Sequence, residues 1–190
     1  MSTRKDTLAT YRAKRDLRRS GEPSGAAEHG GDEPRFVIQR HDASSLHFDF
    51  RLEIGGVLVS WSIPKGPSLD PGDKRLAIRT EDHPLDYARF EGRIPNDEYG
   101  AGTVIVWDTG TFEPLGEESA EQALDSGTLH VWLEGEKLHG AFDLVRTRMS
   151  PRQEQWLLIK KNDEGADRRR KPAKTQPESV LSGKTNRDLA

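Results

Sequence analysis

Between Phe36 and Lys161 the sequence divides into eight short apolar or alternating runs, at 36–41, 47–54, 57–63, 74–82, 103–108, 128–134, 137–146 and 155–161. Turn signals separate them, among them Gly55-Gly56, Pro71-Gly72 and Asp108-Thr109-Gly110. Strands this short become stable only as members of a shared sheet. The fold class expected is therefore mainly β, a small antiparallel β-barrel that is closed or nearly closed. Two helices are expected beside it. Thr7 can cap a short N-terminal helix over 7–20, with Leu8, Tyr11 and Arg15 following at spacings of three and four. An internal helix is expected at about 119–126, where Ser119 and Gln122 form a capping box and Gly127 supplies the stop.

Three regions follow. Residues 1–34 hold the N-terminal helix and a Gly/Pro-rich loop over 21–34, residues 35–162 form the barrel, and residues 163–190 read as a flexible charged tail. A chain of 190 residues can bury one ordinary core. It has no cysteine, which excludes disulfides and thiolate metal sites. No apolar run approaches the length of a membrane span and no signal-peptide core is present, so a soluble cytoplasmic protein without a membrane partner is expected. The net charge of -3 hides an asymmetry. Residues 1–20 carry seven Lys/Arg against Asp6 and Asp16, residues 36–159 carry 12 basic against 21 acidic, and residues 160–190 carry nine basic against five acidic. A protein that coats nucleic acid is basic throughout, so binding to nucleic acid is expected at a local site.

The segment His47-Phe48-Asp49-Phe50-Arg51-Leu52-Glu53-Ile54 carries the clearest chemistry. Alternation along a strand gives one face Phe48, Phe50, Leu52 and Ile54, and the other His47, Asp49, Arg51 and Glu53. Imidazole with carboxylate suits a divalent transition metal, and guanidinium matches phosphate oxygens. Gln39 and His41 share parity on the preceding run. If the two strands pair, His41 joins His47 and Asp49 around one ion and leaves coordination positions open, as catalysis requires.

A second constellation lies at 75–87. Arg75, Ala77, Arg79, Glu81 and His83 are expected on one strand face, with Leu76, Ile78 and Thr80 on the other. Pro84 ends the run, Tyr87 follows in the turn, and Lys65 stands at a strand exit after Ile63-Pro64. Taken singly these are ion-pairing residues of an exposed sheet; convergence with the His/Asp row makes them site candidates. His29, His130 and His139 read as ordinary residues. Gly100 and Gly102 read as a bend before the strand at 103. The rival reading is a non-haem iron(II), 2-oxoglutarate-dependent oxygenase, using His47-x-Asp49 with His139. That reading leaves His41, Arg51 and His83 without a role. A non-catalytic DNA-end-binding module is a third reading.

Residues 36–53 (FVIQRHDASSLHFDFRLE) closely resemble the opening motif of the 3′-phosphoesterase module of DNA ligase D. Ser60–Pro67 (SWSIPKGP), Glu81–Tyr87 (EDHPLDY), Glu98–Trp107 (EYGAGTVIVW), Trp156–Lys161 (WLLIKK) and the N-terminal Tyr11–Asp16 with Glu22-Pro23 are similar to that family too. The resemblance runs in order over roughly residues 8–161. It implies a small β-barrel with a divalent metal, usually manganese, in a crescent-shaped groove. It implies His41, His47 and Asp49 as metal ligands and Arg51 and His83 as phosphate-holding residues, with Lys65, Arg75, Gln39, Glu81 and Tyr87 supporting the site. Arg15, Asp16 and Glu22 match a functional N-terminal segment that orders over the groove. The activity implied is removal of a 3′-terminal ribonucleoside from a DNA primer–template, followed by removal of the 3′-phosphate, leaving an end that a ligase can seal. Asn96-Asp97 departs from the Glu-Gly expected before Glu98-Tyr99. These 190 residues contain no polymerase or ligase sequence, which fits either a freestanding enzyme or an excised module; a separate DNA ligase and other end-joining proteins are the expected partners.

Overall fold

The computed structural model describes residues 6–25 and 33–190. His29 and half of the expected loop at 21–34, residues 26–32, lie outside the described residues. The first part forms two short helices, α1 (Ala9–Ala13) and α2 (Leu17–Ser20), where one helix was expected. Thr7 does not cap α1; Leu8 occupies that position without a side-chain bond, and its N–H donates to Asp6 Oδ1. The break has a local cause. Asp16 is extended (φ -102°, ψ 95°) and its carboxylate accepts from Arg18 N, starting α2 afresh. Gly21 ends α2 at φ 72°, a conformation open to glycine.

The barrel follows. Its strands are β1 (Arg35–Asp42), β2 (Leu46–Ile54), β3 (Val57–Ile63), β4 (Arg75–His83), β5 (Gly92–Ile94), β6 (Gly102–Pro114), β7 (Thr128–Gly135), β8 (His139–Met149) and β9 (Glu154–Lys160). All pairings are antiparallel, in the order β1-β2-β3-β4-β9-β8-β7-β6, and β6 pairs again with β1. Eight strands thus close on themselves, and β5 adds to β6 as a short flap. Closure leaves no long free edge. The β2–β3 hairpin turns on Gly55 (φ 63°) and Gly56 (φ 83°), the twin positive dihedrals of a tight hairpin that twists with its strands. A 3₁₀ turn at Leu85–Arg89 follows Pro84. The internal helix α3 (Ala120–Ser126) has the expected capping box and ends at Gly127, φ 88°.

An eight-stranded barrel is just wide enough for side chains to fill. Trp61, Trp107 and Trp156 are fully buried with Phe36, Phe50 and Phe142 inside it. The apolar face read from β2, Phe48 through Ile54, belongs to this core. The polar face of β2 points outward. Part of it is shielded from solvent, because α1 and the 3₁₀ turn cover it through a second cluster of Tyr11, Val37, Leu58, Tyr87 and Val106.

Residues 163–190 are not a free tail. The segment contains α4 (Pro172–Thr175) and α5 (Asn186–Leu189) and lies against the barrel as a strap. Ala173 packs on the core beside Phe48. The carbonyl of Gln176 accepts from Trp107 Nε1 (2.6 Å) and Lys137 Nζ (3.1 Å), and Val180 N donates to Val106 O (3.0 Å). Asn186 donates to the carbonyls of Arg40 (3.0 Å) and Thr103 (2.9 Å). Composition alone suggested a solvated tail; a few buried contacts, each answering a polar group of the barrel, hold it in place.

Candidate functional site

The β1–β2 register sets His41 opposite His47 and Gln39 opposite Asp49. Residues directly opposite on an antiparallel pair share a face, so the outer surface collects His41, His47, Asp49 and Arg51. The β2–β3 register adds Ser62 and Ser60 opposite Asp49 and Arg51. One ligand atom each from His41, His47 and Asp49 lies within 4.8 Å of the others, forming the only such group among the described residues. His41 Nδ1 stands 3.4 Å from Asp49 Oδ2, and His47 Nε2 stands 3.3 Å from Asp49 Oδ1. The outer nitrogens are occupied by backbone: His41 Nε2 lies 2.7 Å from Gly100 O, and His47 Nδ1 lies 3.1 Å from Ser45 O. As N–H donors to those carbonyls, both rings turn an inner lone pair toward the Asp49 carboxylate. Lone pairs facing a carboxylate need a cation among them, either a proton or a metal. The donor set therefore fits a divalent ion held by two imidazoles and one carboxylate. Burial alone raises the Asp49 pKa, but hydrogen bonds from His41 and His47 and the charge of Arg51 overcome it and hold the carboxyl well below its usual range. For His47 burial opposes protonation, yet Asp49 outweighs it and raises the pKa.

Arg51 is buried beside this centre. Its Nε donates to Gln39 Oε1 (2.8 Å) and Nη1 to Ser60 Oγ (2.9 Å), while Nη2 only approaches Asp49 Oδ2 at 3.6 Å. Gln39 is fixed in turn by donating to Tyr87 O (2.9 Å) and Phe90 O (3.1 Å).

His83 reaches the same groove by a route that alternation does not predict. Across β3–β4, Thr80 faces Ser60, but His83 faces Leu58. Three residues of β4 thus span the interval that two cover on β3, which is a β-bulge. The extra residue moves His83 to the outer face with Ile78 and Thr80. The expected row of Arg75, Ala77, Arg79, Glu81 and His83 on one face is therefore corrected. Ala77 lies in the core, and Arg79 sits opposite Trp61 on the inner side. Arg75, opposite the core residue Leu158, approaches Asp73 at 3.6 Å and does not line the groove.

The N-terminal segment completes the wall. Arg15 Nε bonds Glu22 Oε2 (3.0 Å), Nη1 bonds Glu81 Oε1 (3.1 Å), and Nη2 lies 3.3 Å from His83 Nε2. Tyr87 donates its hydroxyl to Glu22 Oε2 (2.7 Å). His83 Nδ1 lies 2.9 Å from Glu81 O, so the tautomer that fits carries its proton on Nδ1 and accepts from Arg15 at Nε2. Burial, then the charges of Arg51 and Arg15, push the His83 pKa well below its usual value, leaving a neutral imidazole between two guanidiniums.

The groove encloses about 260 Å³ and is lined by Arg15, His41, His47, Asp49, Arg51, Glu81, His83 and Tyr87 together with Tyr99 and Gly100. Eight expected residues thus line it, and Gln39 and Glu22 support it from behind. Three do not: Lys65 is exposed in the turn after β3, Arg75 is on the inner face, and Asp16 caps α2. His139, at the start of β8, pairs with Glu134 on β7 and does not join the triad, so the oxygenase pattern is not assembled. Reading by strand missed Ser60, the Gly100 carbonyl and Tyr99. Ser60 becomes visible only once the β2–β3 register is known, and a carbonyl has no side-chain signature at all. A larger depression of about 820 Å³ near Gly55 and Leu124 holds charges that pair among themselves, including Arg79 with Glu154.

The family model described as the DNA Ligase D 3′-phosphoesterase domain matches residues 39–146. The chain is 50% identical over 182 residues to the multifunctional non-homologous end joining protein LigD of Pseudomonas aeruginosa, covering 94% of this chain and 21% of that protein. It is 47% identical over 143 residues to the multifunctional non-homologous end joining DNA repair protein LigD of Mycobacterium tuberculosis, covering 75% of this chain and 18% of that one. The chain thus spans about a fifth of the length of the curated relatives it matches.

Proposed function

Because this chain belongs to the DNA ligase D 3′-phosphoesterase family, we propose that it is a metal-dependent hydrolase that heals DNA 3′ ends for non-homologous end joining. Its substrates are primer–template ends bearing a 3′-ribonucleotide or a 3′-phosphate, and its product is a 3′-hydroxyl that a DNA ligase seals. The observation that carries this reading is the meeting of His41, His47 and Asp49 with the buried Arg51 in one groove.

His41, His47 and Asp49 would hold the divalent ion, manganese by the family resemblance. Bound there, the ion supplies Lewis-acid stabilisation of charge developing on a phosphate oxygen. Arg51 enters the site already oriented. Gln39 and Ser60 fix two of its three nitrogens, and Nη2 remains to donate to a phosphate oxygen. In the free groove His83 is neutral. A phosphate dianion beside Arg15 and Arg51 offsets their repulsion of a proton on the imidazole. His83 can then hold phosphate as a cation or give its proton to the leaving oxygen. Tyr87 and Glu22 keep Arg15 at the groove wall.

A terminal phosphomonoester offers more negative charge and more free oxygens than an internal diester, so it reacts without further help. A diester lacks that advantage, and a ribose 2′-hydroxyl supplies the missing contact. Incubation with manganese should release inorganic phosphate from a 3′-phosphate primer–template and shorten a primer ending in ribonucleotides. An all-deoxy primer with a 3′-hydroxyl should remain intact on the same gel. Equal shortening of the all-deoxy strand would identify a general exonuclease instead.

A further inference from the structure

We propose that the strap carries a second contact surface, a basic track for the phosphates of the duplex upstream of the 3′ end. This rests on the phosphoesterase reading of the groove.

Residues 167–174 hold five Lys/Arg against Asp167 alone, on a barrel whose residues 36–159 are strongly acidic. Arg169, Lys171 and Lys174 are exposed, and none forms a salt bridge among the described residues. A run of this kind on a free tail would be a solvated charge cloud. Here it is held in place from both sides. Pro172 is buried, Ala173 packs on the core, and the Gln176 carbonyl accepts from Trp107 and Lys137. The cations are thus presented from a fixed backbone.

Their position also matters. A Cβ built on Gly66 would come 2.9 Å from the Phe48 ring and 3.1 Å from Ala173 Cβ, so α4 meets the barrel beside the strand that carries His47 and Asp49. Ile63 is paired with Phe48, and the exposed Lys65 follows two residues later at the same end of the barrel. Lys65 and Lys171 both act on the carboxylate of Asp73. Lys65 therefore stands between the triad's end of the barrel and the strap. The groove encloses only about 260 Å³, while a primer–template also presents a rigid row of phosphates outside it. Spaced, unpaired cations on a fixed backbone at the triad's end of the barrel match that row, and an otherwise acidic barrel offers it little else.

The test is the full chain carrying Arg169→Gln, Lys171→Gln and Lys174→Gln together. Binding of a fluorescent hairpin primer–template is measured by anisotropy across a salt series, with thymidine 3′-phosphate hydrolysis measured in parallel. The variant should bind the hairpin about tenfold more weakly at 0.1 M salt, with the slope of log K against log salt reduced by about 2 to 3. Hydrolysis of the mononucleotide should match the parent. Unchanged hairpin binding and slope would overturn the proposal, and so would an equal loss on the mononucleotide, since that means the groove itself was disturbed. If the parent hydrolyses neither substrate, the phosphoesterase reading fails, and the binding comparison still decides the track.

Discussion

Arg51 and His83, 32 residues apart in sequence, lie 3.2 Å apart between Nη1 and Nδ1 on the outer face of the barrel. A permanent cation beside an imidazole determines which protonation state the fold tolerates. An unfolded histidine titrates near pH ~6.5, and the folded pKa lies well below that because of burial, Arg51 and Arg15. As pH falls, the unfolded chain takes up this proton first. The stability that neutral His83 contributes is therefore complete above about pH 6.5 and lost progressively below it. Arg51→Ala should raise the His83 pKa and flatten that acid slope, as read by NMR titration of the ring. Activity should fall by about a hundredfold or more. An unmoved His83 titration would show that Arg51 does not set its charge.

The ligand set makes a separate prediction. His47→Ala and Asp49→Ala should each abolish turnover and sharply weaken manganese binding by equilibrium dialysis, with far-UV circular dichroism unchanged. Both side chains project from the outer face of β2, away from the core. Manganese binding like the parent's in either variant would remove that residue from the centre.

Glu22 is buried and accepts from both Arg15 and Tyr87. Glu22→Ala strands a buried guanidinium and a buried hydroxyl, at a cost of about 3 kcal/mol. Glu22→Gln keeps an acceptor oxygen and should recover part of the loss. Urea titration of the two variants checks the order. An alanine variant as stable as the parent would mean that this pairing contributes nothing.

Deleting residues 163–190 should now be costly. It removes the acceptors of Trp107 Nε1 and Lys137 Nζ and the partner of Arg40. Each buried group left unpaired costs about 1–3 kcal/mol. A loss of at least about 3 kcal/mol, or about 6–12 °C in melting temperature, is expected. An unchanged melting curve would show that the strap is dispensable.

The barrel was legible because its signal is local. Alternation in His47–Ile54, the Gly55-Gly56 turn and the Ser119/Gln122 box each act over a few residues, and the structure has each where it was read. The triad was legible for a related reason: His41 and His47 flank one tight hairpin, so their meeting needs only a local register. Three features were not legible. The strap depends on single contacts with distant strands, such as Asn186 with Arg40, which leave no periodic trace. Arg75 was assigned to the wrong face because alternation was carried through a bulge. The division of 7–20 into two helices turned on Asp16, whose capping role competes with helix continuation.

The β4 bulge also bears on how such a site can be lost. His83 faces the groove because one extra residue stands between it and Thr80. Pairing this same stretch without the bulge would restore plain alternation and turn the imidazole toward the interior, with every side chain named in the groove still encoded. The groove is therefore specified by a register as well as by an alphabet. A homologue with one residue fewer between Thr80 and His83 would need no bulge at all, because two positions of plain alternation return the histidine to the face of Thr80.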